Sequence, residues 1–311
     1  MTSSDRTLMR TLYRAASAAF VLLLASLLTG VLSGCSPLAL VNVVSPSGAD
    51  RTTTSAAYGA NPRYTLDIYR PESGAERAPV IVFFYGGNWV SGERKDYAFV
   101  GHALAARGFV VVIPDYRLYP QVRYPDFLDD SARAVAWTER KIAAYGGDPK
   151  RIYLMGHSAG AYNAAMLALD PRWLRRQGSD PARLRGWIGM AGPYNFLPVQ
   201  NPTTRPVFNY PDTPPDSQPL AHVHKGAPPA LLIAANKDDL VDPQRNTGAL
   251  ANRLRGAQVP VREIYYDRVN HNTLVATLSS TLRRLAPSLE AVTEFVRSDG
   301  GRTATATATG R

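Results

Sequence analysis

Residues 151–169, RIYLMGHSAGAYNAAMLAL, carry the strongest indication of the fold class. Residues 151–155 form a short apolar run that predicts a buried β-strand, and the apolar residues after Gly160 predict a helix. Between them, residues 156–160 follow the pattern G-x-S-x-G. Pentapeptides of this kind are common, but one that joins a strand to a helix predicts a sharp turn that exposes the serine hydroxyl, here that of Ser158. The competing interpretation is a serine that only caps the helix.

Apolar runs and amphipathic segments alternate on both sides of this stretch. The predicted strands are residues 80–85, 109–114, 151–155, 187–190, 230–235 and 261–266. The predicted helices are residues 94–107, 127–145, 160–169, 243–255 and 273–297. This alternation predicts the α/β class, with a mostly parallel central sheet and helices on both faces, and residues 63–69 add a predicted antiparallel edge strand.

A serine hydroxyl is a weak nucleophile at neutral pH and needs a neighbouring base to accept its proton. The chain has five histidines: His102, His157, His222, His224 and His271. His271 follows the last predicted strand and precedes the last predicted helix, which is where the base belongs in the chain order serine, acid, histidine. His157 adjoins the serine and is expected to point away from it.

An acid is expected after the preceding strand, where residues 236–242 read NKDDLVD and offer Asp238, Asp239 and Asp242. Its carboxylate would accept a hydrogen bond from the imidazole and stabilise the imidazolium. Backbone amides are expected to hold the oxyanion that forms after attack. Gly86 and Gly87 follow the first strong strand and allow close approach to a ligand, and Ala159 directly follows the serine near the start of a predicted helix. We therefore predict an oxyanion hole made by Gly86, Gly87 and Ala159.

Several motifs occur together in one order: YGGNW at residues 85–89, DYRL at 115–118, GDP at 147–149 and GHSAG at 156–160. With an aspartate and a histidine after the last two strands, this set resembles the HGG-type esterases of the α/β-hydrolase superfamily. That group includes carboxylesterases like hormone-sensitive lipase, feruloyl-esterase-like proteins, isoprenylcysteine methylesterase and kynurenine formamidase. The resemblance covers roughly residues 58–296, and the spacing of the acid loop implies Asp238 as the acid, with Asp239 and then Asp242 as alternatives.

The resemblance implies a serine hydrolase that cleaves a carboxylic ester through an acyl-enzyme on Ser158, without a metal or an organic cofactor. Tyr85 stands where the family usually has histidine, and Asn88 stands in the third glycine position. Because backbone amides bind the oxyanion, these changes are compatible with catalysis. The alternatives are a formamidase or amidase with the same triad, and an inactive binding protein. Within the group, residues 86–89 resemble the formamidases and methylesterases.

The net charge of +10, from 35 Lys and Arg against 25 Asp and Glu, raises the question of a nucleic-acid partner. The basic residues are scattered and form no run of five, and aromatic residues do not alternate with them as in single-strand readers. We therefore expect a small-molecule ester or amide as the partner, and no nucleic acid. The oligomeric state cannot be deduced from the sequence.

The N-terminus has a basic stretch with Arg6, Arg10 and Arg14, an apolar run at residues 15–32, and the tetrapeptide LSGC that ends at Cys35. This layout is typical of a secretory signal, and LSGC resembles the lipobox of bacterial lipoproteins. Cys35 is the only cysteine, so no intramolecular disulfide can form. We predict a signal peptide at residues 1–34 and lipidation of Cys35, which would hold the protein at a membrane surface in the cell envelope, on the periplasmic side or at the outer membrane.

The domain prediction follows from composition. Residues 35–57 are rich in Ser, Thr, Ala and Pro and are predicted to be a tether, residues 58–297 the α/β-hydrolase domain, and residues 298–311 a disordered tail. Residues 193–229 are dense in proline, which excludes a regular helix or a central strand. This insertion is either a lid over the active site or a plain surface loop.

Overall fold

Eight strands form one sheet in this computed structural model, which describes residues 41–42, 53–72, 74 and 76–301. The strands are β1 (Thr53–Ala57), β2 (Thr65–Tyr69), β3 (Ala78–Phe84), β4 (Val110–Pro114), β5 (Gly147–His157), β6 (Gly186–Met190), β7 (Ala230–Ala235) and β8 (Val261–Tyr266). They lie in the order β1-β2-β4-β3-β5-β6-β7-β8. β1 and β2 pair antiparallel, β2 pairs antiparallel with β4, and the strands from β4 to β8 are parallel.

The central strands are buried because their apolar runs have no polar alternation. Every residue of β4, β6 and β7 is buried, as parallel strands covered on two faces require. The α/β fold and the mostly parallel sheet predicted from the sequence are confirmed. The antiparallel strand expected at residues 63–69 is β2, but it is not the edge of the sheet because β1 pairs with its outer side.

Helices connect the strands and pack against the sheet. They are α1 (Ala98–Ala105), α2 (Asp126–Lys141), α3 (Ala159–Leu169), α4 (Pro171–Arg176), α5 (Ala249–Gly256), α6 (His271–Ala276) and α7 (Ser288–Arg297). The single helix predicted over residues 273–297 is wrong, since α6 ends at Ala276 and α7 begins at Ser288. Pro287 is the N-cap of α7, and because it disfavours helical geometry in the residue before it, it accounts for where α7 begins.

The folded domain extends further than predicted at both ends. β1 lies inside the predicted tether, and so does Asn42, whose side chain donates to the backbone oxygens of Lys95 and Asp96 at 2.8 and 3.0 Å. At the other end, Arg185 binds Asp299, within the predicted tail. These parts of the tether and tail predictions are wrong. The predicted signal peptide, Cys35, the rest of the tether and residues 302–311 lie outside the described residues.

The parallel strands bring four loops to one edge of the sheet. The loops that follow β3, β5, β7 and β8 all leave from the carboxyl ends of their strands. In open α/β sheets this edge is where ligands bind, because the loops converge there on a crevice.

Candidate active site

Ser158 occupies a strained turn between β5 and α3. Its φ of 54° and ψ of −122° are rare for a residue with a side chain, and the sharp turn lifts the hydroxyl out of the line of the strand. The flanking glycines are required by close packing. A Cβ on Gly156 would lie 2.1 Å from the oxygen of Gly160, and a Cβ on Gly160 would lie 2.0 Å from the oxygen of Phe84.

The structure brings Ser158, His271 and Asp238 into one hydrogen-bonded row. The His271 Nε2 lies 2.8 Å from the Ser158 Oγ, and the His271 Nδ1 lies 2.8 Å from the Asp238 Oδ2. All three residues are buried. A neutral imidazole with its proton on Nδ1 would donate to the carboxylate and accept the proton of the serine hydroxyl.

Of the three aspartates in the acid loop, only Asp238 meets the imidazole. Its Oδ1 accepts the backbone N–H groups of Leu240 and Val241 at 3.0 and 2.9 Å, which fixes the orientation of the carboxylate. Asp239 is exposed. Asp242 accepts the amides of residues 244 and 245 at the start of the following π-helical turn. Asp238, rather than either alternative, is therefore the residue placed to orient His271.

His271 is held at the first turn of α6 by local capping. Asn270 is the N-cap, its side chain accepts the backbone N–H of Thr273 at 3.0 Å, and the Thr273 hydroxyl accepts the backbone N–H of Asn270 at 2.8 Å. This reciprocal pair closes the helix terminus and fixes the backbone from which the imidazole projects. Two of the other histidines contact residues outside this site. His102 packs edge-on against Tyr69, and the His222 Nε2 lies 2.6 Å from the backbone oxygen of Asp216.

The glycine loop after β3 differs in part from the prediction. The Gly86 N–H donates to the Tyr97 hydroxyl at 3.2 Å, so the prediction that it stabilises an oxyanion is wrong. Asn88, one position beyond Gly87, lines the cavity beside Ser158 together with Ala159. The Ala159 amide is the first of α3 and has no intrahelical acceptor.

Two residues of this loop, Asn88 and Trp89, have a left-handed backbone conformation. Asn88 has a φ of 54° and Trp89 a φ of 59°, and asparagine tolerates this region better than most residues. The Trp89 indole is anchored by donation to the Asn163 Oδ1 at 3.0 Å. An asparagine in the third glycine position is therefore compatible with the loop. The motif alone did not indicate that Asn88 lines the cavity beside Ser158.

Tyr85 joins the glycine loop to a charged network behind it. Its hydroxyl accepts from the Arg63 Nη2 at 2.7 Å, and the same nitrogen donates to the Gly92 oxygen at 2.9 Å. The Tyr116 hydroxyl donates to the Tyr85 oxygen at 2.8 Å. Burial, with the nearby Asp115 charge, raises the pKa of the Tyr85 phenol, so it stays protonated. Arg63 therefore holds both ends of the loop, and Tyr85 supplies one of the anchors.

A cavity of about 270 Å³ opens beside Ser158. The proline-rich insertion forms one wall, which supports the interpretation that this segment covers a site. Its lining residues are Pro193, Asn195, Phe196, Val199, Gln200, Asn201 and Thr204. The acid loop and the turn after it form another wall with Asp239, Leu240, Val241, Asp242, Arg245 and Asn246.

The described ranges contain neither a metal-binding cluster nor a membrane-spanning helix. No cluster of three or more His, Cys, Asp or Glu side chains there could hold a metal ion. In the same part of the chain, no helix has both the length and the apolar character needed to cross a bilayer.

Comparison with known proteins agrees with this architecture. The BD-FAE family model matches residues 66–254. A probable isoprenylcysteine alpha-carbonyl methylesterase of Oryza sativa is 39% identical over 149 residues, which cover 46% of this chain and 35% of that protein. Esterase LipC of Mycobacterium tuberculosis is 31% identical over 219 residues, which cover 64% of this chain and 54% of that protein. The chain thus spans about a third of the rice relative and about half of the mycobacterial one.

A solved structure shares the fold. A thermophilic esterase of Thermogutta terrifontis, determined with butyrate bound, superimposes with a TM-score of 0.65 at 21% identity, covering 81% of this chain and 95% of that chain. The shared fold is that of the α/β hydrolases.

Proposed function

We propose that this chain, which belongs to the BD-FAE family, is a carboxylesterase-like serine hydrolase with Ser158, His271 and Asp238 as its catalytic triad. The observation that carries this proposal is the row of two 2.8 Å contacts from Ser158 through His271 to Asp238. The esterases among its relatives support the same chemistry. A buried serine, imidazole and carboxylate in this order are arranged for acyl transfer.

In the proposed reaction, the Ser158 hydroxyl transfers its proton to the His271 Nε2 as its oxygen bonds to the ester carbon. The Asp238 carboxylate stabilises the imidazolium that results. The amides of Gly87, Asn88 and Ala159 are the proposed donors to the oxyanion. When the tetrahedral intermediate collapses, the ester C–O bond breaks and the leaving alkoxide takes the proton from His271. Water then repeats these steps on the acyl-enzyme, releasing the acid and restoring the serine.

The proposed substrate is an ester with a short acyl group. A cavity of about 270 Å³ is at the small end of ligand pockets, so a long acyl chain would not be enclosed. The butyrate bound by the Thermogutta terrifontis esterase is a short acid of the same kind.

Hydrolysis of p-nitrophenyl esters tests this proposal. The full-length chain should hydrolyse the acetate and butyrate esters faster than the decanoate ester. The Ser158→Ala variant should remain folded and hydrolyse these esters at least about 10³-fold more slowly than wild type. An N-formyl aryl amide is assayed beside them. A folded wild-type protein with no more activity than Ser158→Ala on the esters would overturn the proposal, and cleavage of the amide alone would identify an amidase instead.

We also propose that Cys35 is lipidated and that the acyl chains hold the enzyme at a membrane of the cell envelope. The support is in the sequence, where LSGC follows the apolar run at residues 15–32 and supplies the only thiol in the chain. Two or more acyl chains would hold a protein stably at a bilayer. Expression with radiolabelled palmitate should label the wild-type chain in the membrane fraction but not Cys35→Ser. Equal fractionation of the two without any label would contradict the proposal.

A further inference from the structure

His157 is a buried histidine that the proposed reaction does not use. It lies in the turn beside Ser158 and is 2% exposed. Its Nε2 is 3.0 Å from the backbone oxygen of His271, and its ring centre is 5.1 Å from that of His271. On the other side, its Nδ1 is 3.4 Å from the hydroxyl of Tyr97, which is also buried.

Tyr97 continues this contact to the glycine loop. Its hydroxyl accepts the Gly86 N–H at 3.2 Å. Gly86 is itself packed tightly here, since a Cβ at this position would lie 3.0 Å from the Ser158 Cβ and 3.2 Å from the His157 Nδ1. Gly86, His157 and the nucleophile thus meet at one point, and Tyr97 approaches this point from the segment before α1.

Only one arrangement of protons satisfies these contacts. A carbonyl oxygen can only accept, so the His157 Nε2 must carry the proton that it donates to the His271 oxygen. The neutral ring then has Nδ1 as an acceptor for the Tyr97 hydroxyl proton. The Tyr97 oxygen keeps its lone pairs for the Gly86 N–H. Donation therefore runs in one direction, from Gly86 through Tyr97 and His157 to His271.

We propose that Tyr97 and His157 are positioning residues whose hydrogen-bonded bridge fixes the glycine loop relative to the backbone of His271. This inference rests on the proposed function, because it assigns the bridge to the geometry of the same reaction. The bridge joins two loops that leave different strands, β3 and β8. The amides proposed for the oxyanion directly follow Gly86 in one loop, and the proposed base belongs to the other.

The state of the His157 ring agrees with this role. Burial, followed by the His271 charge, lowers the pKa of His157 to about 3, so the ring is neutral near pH 7. A neutral ring does not repel the imidazolium that forms on His271 during the reaction. The bridge contacts the backbone of His271 rather than the reacting atoms. Its loss should therefore reduce the rate of the chemical step more strongly than it weakens substrate binding.

The test measures kcat and KM of the full-length chain on p-nitrophenyl butyrate. Tyr97→Phe, which removes one oxygen atom, and His157→Leu should each lower kcat about tenfold with KM within about twofold of wild type. His157→Gln keeps an amide donor for the His271 oxygen and should recover most of kcat. Because both groups act through one bridge, Tyr97→Phe added to His157→Leu should cause little further loss.

The matched control is Tyr153→Phe. Its buried hydroxyl lies 3.0 Å from the Asp299 Oδ1 and 3.1 Å from the Val296 backbone oxygen in α7, so both of these partners lie outside the glycine loop. This variant should lose stability but keep kcat within about twofold of wild type. Urea unfolding of every variant separates loss of folding from loss of rate. If His157→Leu fails to fold, Tyr97→Phe decides the test.

Three results would overturn the proposed bridge. The first is a folded Tyr97→Phe variant with the kcat of wild type, and the second is a double variant whose fold-loss in kcat is the product of the two single fold-losses. The third is a His157→Gln variant whose kcat is as low as that of His157→Leu. A wild-type chain without esterase activity would be a different failure, since it would overturn the proposed function itself.

Discussion

At the scale of single residues, Asp238 differs from the neighbouring aspartates in what its two oxygens contact. One oxygen accepts two backbone N–H groups and the other meets His271, whereas Asp239 is exposed to solvent. Asp238→Asn should therefore lower kcat by about 10³ to 10⁴, because an amide in this place favours the wrong imidazole tautomer.

Asp239→Asn is the comparison for that prediction, and its kcat should fall less than about tenfold because its carboxylate does not orient the base. Both variants are assayed on p-nitrophenyl butyrate at pH 7 and 8. A larger loss in Asp239→Asn than in Asp238→Asn would mean that the acid is wrongly assigned.

The candidate residues that the structure brings into contact are those whose place follows from the chain order of strands. Ser158, Asp238 and His271 each follow a strand in an expected sequence, and their side chains meet. Gly86 was wrong because the partner of its amide is the side chain of Tyr97, and a tertiary contact of this kind has no signature in the glycine motif.

At the scale of elements, the first turn of α3 lies directly against β3. The Gly160 backbone approaches the Phe84 oxygen so closely that a Cβ would lie 2.0 Å from it. Gly160→Ala should therefore reduce the free energy of unfolding by about 2–3 kcal/mol, since the helix and the strand must separate. Urea unfolding monitored by circular dichroism measures this loss.

Gly256→Ala is the matched substitution in another helix. A Cβ on Gly256, the last residue of α5, meets nothing within 4 Å. This change should raise the free energy of unfolding by about 0.4–1 kcal/mol, because alanine restricts the unfolded chain more than glycine does. Equal effects of the two substitutions would show that the α3 contact is not tight.

Elements with a clear apolar period were predictable, and those without one were not. β4 and β7 are continuous apolar runs and were found within one residue of their observed bounds. β1 (TTSAA) alternates between exposed and partly exposed residues and is held by backbone pairing to β2, so its side chains carry no core signal. The long helix predicted at residues 273–297 treated two short helices as one because their apolar positions continue on either side of Pro287.

At the level of the whole molecule, the order of the strands in the sheet brings the candidate site residues together. β3, β5, β7 and β8 are separated along the chain by helices and by the proline-rich insertion, yet their carboxyl ends face one crevice. The alternating pattern predicted a parallel sheet but not the order of its strands, because that order depends on the handedness and length of every crossover. The packing of His157 between two of these loops is a property of the complete fold.

The burial of His157 predicts how stability of the whole molecule depends on pH. Its pKa is about 3 in the folded protein against 6.5 for an unperturbed histidine, because burial and the His271 charge oppose protonation more than the hydrogen bond to the His271 backbone and the Asp238 charge favour it. Below pH 6.5 the unfolded chain therefore binds a proton that the folded chain does not. The contribution of the neutral His157 ring to stability is therefore present above pH 6.5 and is lost as pH falls toward 3. The free energy of unfolding decreases by up to about 1.4 kcal/mol per pH unit in this range.

Other groups titrate in the same range, so the comparison is between wild type and His157→Gln, which cannot protonate there. Urea unfolding at pH 7, 6, 5 and 4.5 should show wild type losing stability more steeply than His157→Gln, with the difference between them changing by more than about 1 kcal/mol across the series. A constant difference would mean that His157 takes up its proton at the same pH in both states. Such a ring would be reached by solvent in the folded protein and would not be the neutral group enclosed between Tyr97 and His271.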